Sequence, residues 1–232
     1  ALLPGANIAA VTDIEVRILA PGEKLTITPK SEPLRFLIAV SGKEKGQSFD
    51  RVELETRVGK KKQKPVGMSG RKDNQFSLDY NVERENFEYR ILVDESPVTM
   101  NIGSKTAQWI EMDVASRPYV TSFTKTYRYP EYTKKEPIED HNRSGDLKGW
   151  EGTEVDLILH TNQAVTAGTI ELDLTGSGEA EIELKPSEDG RQLSTTIVLG
   201  KPGTYRATRV TSEQTGWKSK PSQAFEISVR LD

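Results

Sequence analysis

The chain has 232 residues, 34% of them apolar and 29% charged, with a net charge of −3 from 32 Lys+Arg and 35 Asp+Glu. It contains no cysteine, which excludes disulfides, thiolate nucleophiles and cysteine-ligated metals. Neither half is basic enough for a nucleic-acid footprint, and no apolar run approaches the roughly 20 residues of a membrane span.

The length fits two domains of roughly 100–120 residues. Secreted eukaryotic sandwiches usually carry a disulfide, so the missing cysteines lean toward a cytosolic or bacterial chain. The sequence starts at Ala1 with neither methionine nor signal peptide. It reads as a soluble piece of something longer, or as a processed mature form. Residues 1–10 read as a loosely held arm or the stump of a membrane-proximal segment.

From there the apolar residues alternate with polar ones at strand period, between turn signals. Ile14–Ile18 opens the pattern, closed by Pro21-Gly22, and Leu34–Val40 follows, ended by Ser41-Gly42. Val52–Val58 is the next strand. Lys60-Lys61-Lys62-Gln63-Lys64 lies between Gly59 and Pro65, where a hairpin loop is expected. A solvated loop tip is favoured there over a contact for an anionic polymer or lipid headgroup. Phe76–Tyr80, Phe87–Val93 and Trp109–Val114 complete the first half.

Val114-Ala115-Ser116-Arg117-Pro118 is too short for a flexible linker, and Pro118 holds it extended. It divides a first β-sandwich domain, 1–117, from a second, 118–232, and predicts a stiff, elongated pair. In the second half the expected strands are Tyr119–Tyr129, Val155–Leu159, Thr169–Leu174, Ala180–Leu184, Leu193–Leu199, Tyr205–Val210 and Phe225–Leu231. No stretch carries a helical apolar stripe. The two halves also end alike: Tyr89-Arg90 recurs as Tyr205-Arg206, and Trp109 aligns with Phe225. The shift is 205 − 89 = 116 for the tyrosines and 225 − 109 = 116 for the later aromatics. About seven short strands per half predict an all-β protein of two tandem immunoglobulin-like β-sandwich domains. Trp109 and Phe225 are expected in the cores.

Asp140-His141-Asn142-Arg143-Ser144-Gly145, with Leu147 eighth and Glu151 twelfth, matches a calcium-loop pattern. Asp140, Asn142, Ser144 and Glu151 would supply oxygens and Gly145 the turn. The context opposes it, because Pro130 and Pro137 replace the flanking helix and Lys148 stands at the ninth, ligand position. An ordinary strand-connecting loop without metal is expected. Asn142-Arg143-Ser144 is also a glycosylation sequon, relevant only in a eukaryotic secretory setting.

His141 and His160 fall in different elements, and without a G-x-S-x-G elbow a serine triad has no support. Glu181 and Glu183 share one strand face, whereas glycosidase carboxylates face each other across a cleft; the pair reads as protection of an edge strand. Neither phosphate-binding glycine motif occurs. The aromatics remain. Tyr127, Tyr129 and Tyr132 cluster around Pro130, and Trp150 and Trp217 lie in expected loops; of these Tyr129, Tyr132, Trp150 and Trp217 are the candidate ligand-contact residues. For the tyrosines, closure of a sandwich end and packing at the domain joint is favoured over ligand contact.

Tyr129-Pro130-Glu131-Tyr132-Thr133, Gly145-Asp146-Leu147 and Glu151-Gly152-Thr153-Glu154-Val155 carry a resemblance, as do Tyr205-Arg206, Gly216-Trp217, Pro221 and Phe225-Glu226-Ile227. On these residues the chain resembles the extracytoplasmic region of large bacterial membrane-anchored proteins of unknown function, found in planctomycetes and proteobacteria among others. Leu3-Pro4-Gly5-Ala6 looks like the segment that follows that family's membrane helices. The resemblance implies tandem sandwiches outside the inner membrane, in periplasm or cell envelope. It implies no activity and transfers no site residues.

The expectation is a non-enzymatic spacer or protein-interaction module without cofactors. Its partners would be other proteins or envelope components, with no nucleic acid, and with membrane attachment only through segments outside this chain. The alternative is a carbohydrate- or cell-wall-binding module that uses exposed Tyr and Trp on a glycan.

Overall fold

The computed structural model describes residues 14–22, 25–42, 47–102, 105–141 and 143–231. The expected arm at 1–10 and the loop residue Asn142 lie outside them. The described residues contain strands, one single-turn 3-10 helix and no α-helix. The chain is all-β, as its alternation predicts. It falls into two compact units, Ala1–Ser116 and Arg117–Asp232.

In the first unit the strands are β1 (Glu15–Ala20), β2 (Ile27–Pro29), β3 (Pro33–Ser41), β4 (Val52–Val58), β5 (Lys61–Lys62), β6 (Val66–Gly67) and β7 (Ser69–Gly70). They continue as β8 (Gln75–Asn81), β9 (Phe87–Val93), β10 (Ser96–Pro97), β11 (Met100–Ile102), β12 (Lys105–Ala107) and β13 (Ile110–Ala115). One sheet runs β1-β3-β8-β7 and another β2-β13-β9-β4-β5. The core forms from alternate residues of these strands: Leu34, Phe36, Ile38 and Val40 of β3 are buried and Arg35 faces water, as period-2 side-chain geometry requires. Phe36 meets Tyr89 edge-on, with ring centroids 4.9 Å apart.

The second unit comprises β14 (Val120–Arg128), the 3-10 turn Glu131–Thr133, β15 (Ile138–Asp140), β16 (Leu147–Trp150), β17 (Thr153–Thr161), β18 (Val165–Leu174), β19 (Gly178–Pro186), β20 (Gln192–Leu199), β21 (Gly203–Ser212) and β22 (Phe225–Arg230). The ladder order is β15-β14-β17-β20-β19-β18-β21-β22-β16. It folds into two layers because β19 pairs with β18 over Gly178–Leu184 and with β20 at Lys185–Pro186. The hydrophobic pattern does not reveal β2 and β16. Each is short and runs parallel to the last strand of its unit, β2 on β13 and β16 on β22. In β16, Gly149 is required by packing, since a Cβ there would lie 2.8 Å from Leu199 Cδ1.

The repeat holds at the tyrosines and slips by one in the last strand. Tyr89 and Tyr205 are both fully buried. Tyr205 stands opposite Phe225, but Tyr89 stands opposite Ile110, a shift of 225 − 110 = 115. Ile110 is therefore the core equivalent of Phe225, and Trp109 is displaced to the other face, because one residue of register reverses every side chain. The expectation of Trp109 in the core is corrected accordingly. Two guanidinium groups approach its half-exposed ring, Arg57 at 4.3 Å and Arg90 at 4.6 Å from its centroid. Those cations are held by cross-strand carboxylates, Arg57 by Glu88 and Arg90 by Glu55.

Candidate functional site

Phe123, Lys125 and Tyr127 occupy successive inward positions of β14, so alternation alone drives a lysine into the second unit's interior. Lys125 is 2% exposed. Its ammonium is a hydrogen-bond donor only, and among the described residues it meets Asp140 Oδ2 at 3.0 Å, the Ser144 carbonyl at 3.1 Å and the Asp146 carbonyl at 3.2 Å. The oxygen-rich loop read as a calcium pattern thus encloses the protein's own cation. Glu151, the closing ligand of that pattern, is carried away by the extended residues of β16, about 13 Å of strand. It sits exposed in the β16–β17 turn, where its N–H donates to the Arg230 carbonyl. No group of three or more His, Cys, Asp or Glu among the described residues is arranged to hold a metal ion.

The other pattern residues also have architectural work. Gly145 is buried under Phe225 and Tyr205, and the Tyr205 hydroxyl donates to its carbonyl. Burial pushes the Tyr205 phenol well above its ordinary value, which keeps that donor protonated. Leu147 is core. Asp146 receives the Ser144 hydroxyl at 2.6 Å and the Glu226 N–H at 2.8 Å, tying the loop to β22. These two bonds, with Lys125 nearby, hold the Asp146 carboxyl below the usual carboxylate range. A carboxyl lowered on folding contributes stability that is present above its unfolded value, near 4, and is lost as pH falls through the folded value. The expected result is that Asp146→Asn loses less urea resistance than the wild type between about pH 5 and pH 2.5. Equal losses would show that the bonds to Asp146 carry no pH-dependent stability.

Both histidines converge on one hydroxyl, an arrangement that separate elements concealed in the sequence. Thr124 Oγ1 lies 2.8 Å from His160 Nε2 and 3.3 Å from His141 Nδ1, and Glu139 Oε1 lies 3.3 Å from His141 Nε2. The order carboxylate–imidazole–hydroxyl suggests a nucleophile relay. However, Thr124 is 8% exposed and the two rings that bond its oxygen also cover it. The cluster links, across the outer face of one sheet, the end of the edge strand β15 to its neighbour β14 and to β17.

Of the four candidate contact residues, three come together. Tyr129 follows β14, Tyr132 lies in the 3-10 turn, and Trp150 ends β16. Lys135 Nζ stands 5.5 Å from the Tyr129 ring and 5.2 Å from the Trp150 ring, and the Arg230 guanidinium lies 5.8 Å from Trp150. The Tyr132 hydroxyl donates to the Glu151 carbonyl at 3.2 Å, and its ring is exposed. Tyr127, stacked on Tyr129 at 6.3 Å, is buried. Neither Lys135 nor Arg230 has a carboxylate partner among the described residues. The result is an end surface of partly exposed aromatics with two cations on their faces.

Trp217 is elsewhere. It sits in the connection after β21, near the Ser212 end, with Arg117 at 5.8 Å from its ring. β16 and the end of β22 place Trp150 at the opposite end of the same sandwich. The Lys60–Lys64 run forms a solvent-exposed hairpin, with Lys61 and Lys62 paired to Val58 and Arg57. Glu181 is bound by Arg209, so the acidic face of β19 is partly neutralised. No known protein-family model matches the chain, and no curated protein matches it.

Proposed function

We propose that the chain is a non-enzymatic protein-interaction module of a larger, membrane-anchored bacterial protein, built as two immunoglobulin-like sandwiches and placed outside the inner membrane. The family resemblance supports the location and the anchoring. Strand order supports the fold: in the first unit, β1-β3-β8-β7 and β13-β9-β4 match the A-B-E-D and G-F-C sheets of the immunoglobulin type.

One observation carries the binding reading: Lys135 lies over the rings of Tyr129 and Trp150 and Arg230 over Trp150, with the exposed Tyr132 tied to Glu151, next to Trp150 in the chain. Aromatic and cationic side chains of this kind dominate the energetics of protein interfaces. Two cations without carboxylate partners favour an acidic segment on the partner. A glycan would need bare ring faces for stacking, and Lys135 and Arg230 occupy faces of Tyr129 and Trp150.

The discriminating experiment pairs sedimentation with purified cell-wall sacculi and capture of envelope proteins, using the wild type, Trp150→Ala and Trp217→Ala. The expected result is no sedimentation with sacculi. A captured protein should be lost from Trp150→Ala by a factor of about ten or more and kept by Trp217→Ala. Sedimentation that depends on Trp150 would establish the glycan reading instead.

A further inference from the structure

We infer that the second unit holds a separate site for a small hydroxylated organic anion, a sugar acid in chemical class. The site is a cleft of about 330 Å³ between the leading residues of β14 and the β21–β22 connection, at the small end of the range for ligand pockets. Its base is closed by Phe123, Val210 and Phe225, all buried. Its accessible walls are mixed, with polar groups somewhat outweighing apolar ones.

The far wall is a fixed one. Ser219 and Ser222 accept the Val210 and Ala207 N–H groups through their hydroxyls, at 3.2 and 3.0 Å. Their own N–H groups bond back to the carbonyls of the same two residues. The connection is thereby stitched along β21 as though it were another strand. The near wall is held by a similar pair, in which Tyr119 N–H donates to Asn162 Oδ1 and Asn162 N–H to the Tyr119 carbonyl.

Charge fixes the sign of the ligand. Residues 118–232 contain 18 Asp+Glu against 14 Lys+Arg, yet no lining residue of this cleft is acidic, and Arg143 and Lys220 both line it. Clefts elsewhere carry carboxylates, including Glu171, Asp173 and Glu179 in one and Glu83 and Glu85 in another. Arg143 is exposed and has no carboxylate partner among the described residues, so its planar fork of donors is available to a carboxylate. The remaining groups are the Gln223 amide, the Tyr119 ring, which is 53% exposed, and the hydroxyls of Ser219, Thr121 and Ser222, the last two already donating to the His160 and Gln223 carbonyls. That set suits the hydroxyls and the apolar ring face of a pyranose. The site is distinct from the Trp150 surface and does not rest on it.

Saturation-transfer NMR on the full chain tests the assignment, with D-glucuronate as probe and D-glucose as the neutral analogue of the same ring. Glucuronate is expected to bind in about the millimolar range, as a small, polar ligand does. Glucose should bind at least about tenfold more weakly, and Arg143→Gln should weaken glucuronate about tenfold while Arg143→Lys keeps part of the affinity. Circular dichroism of the variants would confirm that they remain folded. Equal binding of the two sugars, no transfer to glucuronate, or an unchanged affinity in folded Arg143→Gln would each overturn the proposal.

Discussion

Lys125→Met is expected to destabilise the chain by about 3 kcal/mol, the low end for breaking a buried charge pair. The substitution keeps the length of the side chain and removes the polar contacts to Asp140, Ser144 and Asp146. It leaves a carboxylate and two carbonyls facing an apolar group. Asp140 is 33% exposed, so water recovers part of its solvation and the cost stays below the value for a fully buried partner. Thermal unfolding should show a midpoint about 10 °C lower. Adding Asp140→Asn should return part of the loss, because the stranded charge is then gone. Calcium should leave the wild-type midpoint unchanged, since the loop oxygens already coordinate an ammonium. A midpoint that Lys125→Met leaves alone would mean that the lysine is not what closes the loop.

Gly145→Ala is expected to cost about 3 kcal/mol, in the upper range for overpacking. Its Cβ would stand 2.7 Å from Phe225 Cγ and 2.8 Å from the Tyr205 oxygen. Both neighbours are buried in the core, so neither can step aside cheaply. Tyr205→Phe removes the donor to the Gly145 carbonyl and should cost about 1–2 kcal/mol by itself. The double variant should cost less than the sum, because the missing hydroxyl makes room for the methyl group. Strict additivity in urea unfolding would contradict the packing explanation for this glycine.

These two residues show how far the sequence could be read. Period-2 alternation marks the long strands, because one face of each meets a core and the other meets water; β3 and β17 are examples. It fails for β2 and β16, which have three and four residues and depend on pairing with the last strand. It fails again at Trp109, where a repeat counted by sequence spacing ignores a one-residue change in register.

The loop that matches the calcium pattern, which its sequence context already opposed, faces a cation of the chain itself. A loop that supplies oxygens around a glycine suits any cation, and the sequence does not say which one arrives. One signal was legible: Lys125 stands at an inward position between Phe123 and Tyr127, where alternation calls for an apolar residue. A lysine there needs partners, and the nearest acidic loop supplies them. The convergence of His141 and His160 on Thr124 had no such signal, since it depends on which strands become neighbours. Tyr129, Tyr132 and Trp150 could be named as candidates. Their meeting around Lys135 and Arg230 required the fold, and so did the separation of Trp217.

The proposed docking surface can be tested most directly by site-specific photocrosslinking in cells that carry the protein. A photoreactive phenylalanine would replace Tyr132 in the aromatic cluster, and Val198, exposed on the outer face of β20, would serve as the control position. A protein adduct of defined mass is expected from position 132 and not from 198, and it should disappear when Trp150→Ala is added. No adduct at 132, or the same adducts at both positions with and without Trp150, would contradict a protein-binding surface at this end of the second unit.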